Sequence, residues 1–298
     1  MIARAATDQS IAWQWRYRWS IAIYHGQSPL DLMPIPAQRR PVLTPRSVTD
    51  CRAAAVADPF VLYRDGQFYM FFEVLNITSG RGEIAFATSA DGRDWTYRQI
   101  VLREPFHLSY PQIFTWQDAV YMIPETRQAG EVRLYRTTGF PSGWEPVASL
   151  LRGPYADATL HHDGQLYWLF SQYGLDELHL HFAESPIGPW HQHPYSPLWP
   201  GNRRRTRPAG RLVQHRGSLL RFAQDGWPNY GTALRAFRVD RLDTCHFDEE
   251  ELPQSPVLQA SREGWNALAM HHLEVITSDS SGVLAAVDGA TIGPVAPL

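Results

Sequence analysis

Acidic and amide side chains recur at matched places in this sequence. Asp58 opens the stretch Asp58-Pro-Phe-Val-Leu-Tyr-Arg-Asp-Gly-Gln-Phe-Tyr-Met-Phe-Phe-Glu73, and Glu73 closes it. Tyr110 and Glu125 bracket a second stretch that aligns on the first without a gap: Pro59 on Pro111, Tyr69 on Tyr121, Met70 on Met122. Asp157 opens a third stretch, and Gln224-Asp225 closes a fourth. Carboxylates gathered at one end of otherwise apolar segments are costly to hold together. They repel, share protons or act on a ligand. Two carboxylates on opposite sides of an oxocarbenium-like centre are what cleavage of a glycosidic bond needs. Arg207 ends the run Arg203-Arg-Arg-Thr-Arg207 and is placed to balance such a cluster, or to grip an anionic or polyol ligand. Structural uses stand beside these. Asp58 and Asp157 could cap strand ends, Glu73 could pair with an arginine of a neighbouring unit, and Glu125 could be purely structural.

The elements that position these residues follow from the repeat. The stretches start at 58, 110, 157, 209 and 271, spacings of 52, 47, 52 and 62 residues. A period near 50 is that of a propeller. Each stretch reads as a β-hairpin, with Asp65-Gly66, Asp163-Gly164 or Arg216-Gly217 as the tight turn. A third strand follows at 82–88, 131–136 and 178–183. After it Trp95, Trp144 or Trp190 opens a fourth. The expected fold is all-β: one domain over 1–298, a single five-bladed β-propeller with four-stranded antiparallel blades. Its inner strands start near 58, 110, 157, 209 and 271. A strand near 11–24 completes the degenerate last blade and closes the ring.

In such a ring the first strand of each blade lines the channel and the second runs back. The start of strand one and the end of strand two therefore share a rim. That places Asp58, Glu73, Tyr110, Glu125, Asp157, Gln224 and Asp225 around one mouth. Pro124 cannot donate to a ladder, so its strand stops there and Glu125 faces the mouth. His272, heading the fifth inner strand, is expected to point into the channel. His161-His162 and His179 with His181 have no carboxylate at metal-motif spacing, so no zinc site is expected.

Composition narrows the field. The net charge is −3, from 27 basic and 30 acidic residues, which argues against a nucleic-acid binder held by phosphate contacts. All 27 basic residues are arginine, which excludes a lysine Schiff base and a Walker A loop. Cys51 and Cys245 alone make neither a disulfide framework nor a four-ligand zinc site. The first ten residues lack a signal-peptide core, and no run approaches 18 apolar residues. The expectation is a cytoplasmic protein with no membrane span. Aromatic residues reach 12%, which favours strands and suits sugar faces.

Ala57-Asp58-Pro59-Phe60, Asp157-Ala158-Thr159 and the segment 87–95 resemble the five-bladed propellers of glycoside hydrolase family 43 and its relatives. That resemblance implies Asp58 as general base and Asp157 as the residue that orients the acid and tunes it. It also implies an ion or a water in the channel beside His272, with no other cofactor. The family-43 acid heads blade four. Here that stretch is Arg207-Pro-Ala-Gly-Arg211, and no Asp or Glu occurs between Glu184 and Asp225. The acid must then come from elsewhere: Glu125 first, then Glu73 or Asp225. A closer likeness is to the N-terminal domain of glucosamine inositolphosphorylceramide transferases and to free-standing bacterial proteins of that type. It is carried by Trp19-Ser-Ile-Ala-Ile-Tyr24, His107-Leu-Ser-Tyr-Pro111, Tyr121-Met-Ile-Pro-Glu125, Arg207-Pro-Ala-Gly210, Gln224-Asp225 with Tyr230-Gly231, and Ala286-Val-Asp-Gly289. In the plant proteins transfer is attributed to a separate C-terminal domain. The likeness therefore implies a sugar-directed propeller and not the transferase activity.

The first reading is a carbohydrate-active enzyme acting on a glycosidic bond, with Asp58, Glu125 and Asp157 catalytic. Glu73, His107, Tyr110, Arg207, Gln224, Asp225 and His272 bind its carbohydrate or glycoconjugate. The second is a non-catalytic glycan-binding propeller with a glycosyltransferase as partner. A third, glycosyl transfer by this domain itself, finds no nucleotide-sugar motif.

Overall fold

In the computed structural model, residues 17–36, 40–279 and 282–292 are described. They form five antiparallel sheets arranged as a ring, a five-bladed β-propeller. Blade one is Ala53–Arg64, Gln67–Asn76, Arg81–Ser89 and Thr96–Leu102. Blade two is Ser109–Trp116, Ala119–Glu125, Glu131–Gly139 and Ser142–Arg152. Blade three is Tyr155–His162, Tyr167–Tyr173, Glu177–Ala183 and His191–Gln192. In blade four the inner strand is broken into Arg207–Pro208 and Val213–His215, both paired with Ser218–Asp225. Ala233–Leu242 follows, edged by Phe247–Glu251 and Leu258–Gln259. Blade five is Leu273–Asp279, Gly282–Ile292, Tyr17–Gly26 and Met33–Pro34. Tyr17–Gly26 pairs with the penultimate part of the chain from Tyr17↔Ile292 to Gly26↔Val283, so the ring closes by joining distant segments. Of the strand expected over 11–24, residues 11–16 lie outside the described residues.

Inner hairpins turn where φ is positive at two successive residues, as two-residue turns of the I′ type demand. These are Asp65-Gly66, Gln117-Asp118 and Arg216-Gly217. The blades bury apolar faces against one another. Between blades one and two, Phe60, Phe71, Ile84 and Phe86 pack on Ile113, Met122, Tyr135 and Trp144. Trp95 and Trp144 are pinned by Nε1–H bonds to the carbonyls of Gly92 and Pro141, each 3.0 Å.

The inner strands begin at Ala53, Ser109, Tyr155, Arg207 and Leu273, up to five residues from the expected starts. The difference has a physical cause. Asp58, Tyr110 and Asp157 do not open their strands. Each is a left-handed residue, φ 54°, 46° and 50°, inside a β-bulge. The ladder skips at Ala57/Phe60, Ser109/Gln112 and Ala156/Thr159. A bulge kinks the strand and re-aims one side chain, and it recurs beside functional sites. The repeat thus marks the kink rather than the strand's first residue.

The channel is filled. Phe60, Tyr110 and His272 meet edge to face, with centroids 4.7–5.3 Å apart. The Tyr110 hydroxyl lies 2.8 Å from Thr159 Oγ1 and accepts the Gly210 N–H at 2.7 Å. Gly210 has φ +115°, and a Cβ there would lie 1.9 Å from the Leu273 carbonyl oxygen, so no other residue fits. One layer further along, Arg211 donates to Glu274 Oε1 at 2.8 Å and to the Ile113 carbonyl at 2.6 Å, tying blades two, four and five.

Candidate active site at one mouth of the channel

Asp58 is almost fully buried at the kink of blade one. Its Oδ2 accepts the Tyr110 N–H at 3.3 Å, and its Oδ1 lies 3.7 Å from His272 Nδ1 and 3.9 Å from His271 Nδ1. Burial pushes its carboxyl up to about 7; His271 pulls it down, while Asp288 and Asp157 push it further up.

Glu73 lies on the second strand of the same blade, paired with Ala57 beside the kink. His107 Nδ1 accepts the Gly82 N–H at 2.9 Å, which leaves Nε2 to carry the proton toward Glu73 Oε1, 3.4 Å away. Gly82 allows this approach, because a Cβ there would lie 2.1 Å from the Leu108 oxygen and 2.8 Å from Glu73 Oε1. Burial, and then the charges of Asp58 and Glu125, push Glu73 well above the carboxylate range. Burial pulls His107 down to about 4, with Arg207 acting the same way.

Glu125 and Asp157 stand on blades two and three, and both lie against the Arg207 guanidinium. Arg207 holds the pair. Its Nε donates to Asp157 Oδ2 at 2.5 Å, and its Nη2 lies 3.5 Å from Glu125 Oε2. Gln224 Nε2 adds a 2.8 Å bond to Asp157 Oδ2. The two carboxyls are driven apart. Burial would raise Asp157, but Arg207 overrides it and keeps Asp157 below its ordinary value. Burial, with the adjacent Asp157 charge, pushes Glu125 up to about 8 against the pull of Arg207. One carboxyl is an ionised ligand of a guanidinium; its neighbour keeps a proton at neutral pH.

Three expected site residues do not line the mouth as read from sequence. Tyr110 is sealed inside, its hydroxyl spent on Thr159 and Gly210, because the bulge turns its ring inward. Asp225 is buried in an ion pair with Arg235 at 2.7 Å and accepts the Trp227 N–H. Gln224 supports Asp157 from behind. His272 lies in the channel against Phe60 and Tyr110. Neither of its ring nitrogens has a hydrogen-bond partner, and burial pulls it down to about 4.

The sequence reading missed His271 with Asp288, and the aromatic residues Trp19 and Tyr230. His271 Nδ1 lies 2.9 Å from Asp288 Oδ1, and its ring stacks on Trp19 at 3.9 Å with Tyr230 edge-on at 5.3 Å. Tyr230 also lies under the Arg207 guanidinium, 5.0 Å away. A signal was present: Asp288 interrupts the apolar run Val283-Leu-Ala-Ala-Val287 on a buried strand. Asp58, His271 and Asp288 bring donor atoms within 4.8 Å of one another. Both Asp288 oxygens accept backbone N–H groups and Nδ1 faces Asp288, so the trio is joined into one hydrogen-bonded unit.

The raised carboxyls have a consequence for stability. Asp58 and Glu125 titrate higher in the folded chain than in the unfolded one. Their contribution is complete below about pH 4 and is lost as pH rises through about 7 and 8. His271, also raised, acts with the same sign. The melting temperature should therefore fall between pH 6 and pH 9, and Glu125→Gln should flatten the slope. An unchanged slope in that variant would contradict the burial described here.

The fold and the mouth define a carbohydrate-related five-bladed propeller. The sequence profile described as "Glucosamine inositolphosphorylceramide transferase 1, N-terminal" matches residues 15–290, and the chain belongs to that family. Glucosamine inositolphosphorylceramide transferase 1 of Arabidopsis thaliana is 34% identical over 91% of this chain and 39% of its own length. The protein of that name from Oryza sativa subsp. indica is 32% identical over 91% and 40%. The chain thus spans about two fifths of these relatives. Among solved structures, the catalytic domain of a Coprinopsis cinerea GH62 α-L-arabinofuranosidase superposes with a TM-score of 0.59 at 14% identity, covering 94% of this chain and 99% of its own. The exo-β-1,3-galactanase 1,3Gal43A from Clostridium thermocellum gives 0.57 at 13%, over 89% and 69%. At such identity these two share the fold. Among the described residues no helix is long and apolar enough to cross a membrane.

Proposed function

We propose that the protein is a glycosidase-like carbohydrate-active protein that acts on a glycosidic bond at this mouth, with Asp58 as base and Glu125 as proton donor. The observation that carries the reading is a buried carboxyl pair shared by one guanidinium: Arg207 donates to Asp157 Oδ2 at 2.5 Å and lies 3.5 Å from Glu125 Oε2, which holds Asp157 down while burial pushes Glu125 up. Glu125 Oε2 is sealed against the Arg207 guanidinium, 3.5 Å away, which leaves the other carboxyl oxygen to carry the proton to a glycosidic oxygen. The Glu125 proton passes to that oxygen as its bond to the anomeric carbon breaks. Water bonds to the carbon, and Asp58 takes the water's proton. Asp157 and Arg207 orient the donor. The ligand is a carbohydrate or glycoconjugate.

The test is kinetic. On a substrate whose leaving group needs no protonation, Glu125→Gln should keep most of its activity. On a poor leaving group it should lose about 10²–10⁴-fold. Equal losses on both would show that Glu125 is not the acid.

One observation favours a second reading. Arg207 stands at the head of blade four, where the resemblance would put a carboxylic acid. A mouth of this kind could hold a glycan without cleaving it and serve a glycosyltransferase partner. A glycan array with the wild type and Asp58→Asn separates the two: binding without turnover in the wild type favours the second.

A further inference from the structure

Asp58 and Asp157 are both buried carboxyls at kinked positions, yet they are supported differently. Asp157 has a permanent cation, Arg207, at 2.5 Å. Asp58 has no arginine within hydrogen-bond reach among the described residues; the nearest basic groups are the imidazoles of His271 and His272, just before the inner strand of blade five. The two imidazoles are not equivalent. His272 has both ring nitrogens without partners, and nothing there stabilises a charged ring. His271 is clamped by Asp288. That carboxylate is fully buried and fixed by the N–H groups of Asp58, His271 and His272, at 3.0, 3.2 and 3.0 Å. Three such bonds favour the ionised carboxylate, so the His271 Nδ1 at 2.9 Å carries a proton. Trp19 and Tyr230 fix the ring plane. Gly231 leaves room for it, since a Cβ there would lie 3.0 Å from His271 Cβ.

We propose that His271, oriented by Asp288, is a positioning residue that supplies the positive charge holding the buried Asp58 in its carboxylate form. The inference deepens the reading of Asp58 as base and rests on it for its relevance to turnover. The arrangement is anion–cation–anion, Asp288–His271–Asp58, with Nδ1 2.9 Å from the first and 3.9 Å from the second. Facing His271 are Asp288, Asp58, Arg207 and Tyr230. Facing Asp58 are His271, His272, Asp288, Asp157, Arg207 and Glu73. Arg207 already neutralises Asp157, so removing His271 leaves Asp58 among uncompensated carboxylates. Unlike Arg207, this cation is an imidazole that can give up its proton, so ionisation of the two groups is coupled.

The experiment reads protonation directly and needs no substrate. Carbon-13 carboxyl NMR of the whole chain follows Asp58, assigned through Asp58→Asn. Nitrogen-15 NMR of the imidazoles follows His271. His271 should carry its proton on Nδ1. His271→Gln should raise the Asp58 midpoint by at least about one pH unit, a tenfold rise in proton affinity. In reverse, Asp58→Asn should lower the His271 midpoint. That second variant keeps the ring and its packing, so it decides the matter if His271→Gln fails to fold. A proton on Nε2 alone, or a His271 midpoint unmoved by Asp58→Asn, overturns the proposal. If these shifts appear while no glycan is turned over, the coupling stands and the hydrolytic reading fails. If turnover is found without them, the reverse holds.

Discussion

Asp58→Asn is expected to lower turnover by about 10²–10⁴-fold, the range for removing a positioned acid–base group, with little loss of stability. The substitution is mild for the backbone. Position 58 has φ 54°, and Asn tolerates the left-handed region better than other residues with a side chain. An amide oxygen can still accept the Tyr110 N–H that Asp58 Oδ2 accepts now. The Asp58 N–H still reaches Asp288. What disappears is the ability to take a proton from water. The variant also lacks one carboxyl that burial raises, so its stability should depend less on pH above 6. Steady-state rates and melts on the same preparation check both halves. Full activity in a folded Asp58→Asn protein would remove Asp58 from the mechanism.

Arg207→Ala should be among the most damaging single changes to stability. It strips the guanidinium from the fully buried Asp157 and removes the cation over Tyr230. Breaking a buried pair by removing one partner costs about 3–5 kcal/mol. The pH dependence gives the loss a signature. In the wild type Asp157 lies below its unfolded value, so its contribution is present above about pH 4 and is lost as pH falls through the lowered value. Without Arg207 the burial effect is opposed only by weaker partners such as Gln224, and the group is raised instead. Its contribution then survives at low pH and fades as pH rises. The stability deficit of Arg207→Ala should therefore be larger at pH 8 than at pH 5. Urea unfolding at the two values measures it, and a deficit of equal size at both would mean that lost packing, not the stranded charge, dominates.

Much of this architecture could be read from the chain, because a propeller repeats both its hydrophobic pattern and its polar exceptions. The gapless alignment of 58–73 on 110–125 is the alignment of two inner hairpins, in which Glu73 and Glu125 pair beside the bulges that hold Asp58 and Tyr110, and Asp157 sits in the matching bulge of the third. Arg207 was legible as a cation next to acids, though not as the clamp on Asp157. The strand starts were missed by up to five residues because a bulge looks, in sequence, like a boundary: polar residue, then Pro or small residue, then apolar run. Tyr110 was misplaced for the same reason, since a kink decides which way a side chain turns and no pattern reports it. The unit of His271 and Asp288 was hidden by blade five itself. Its repeat is degenerate, it is completed by the distant strand Tyr17–Gly26, and its charged partners lie 17 residues apart, one just before Leu273–Asp279 and the other on Gly282–Ile292.

The bond from the Asp58 N–H to Asp288 spans 230 positions of sequence. It lies beside the seam where Tyr17–Gly26 joins Gly282–Ile292. Local hairpins can form while the chain is still being synthesised, but contacts of such separation wait for the last segment and bear the largest loop-closure cost. The mouth therefore has a place in time as well as in space. The polar unit that fixes Asp58 arrives only when Gly282–Ile292 has been made and has paired with Tyr17–Gly26, so the site is finished at the moment the ring shuts.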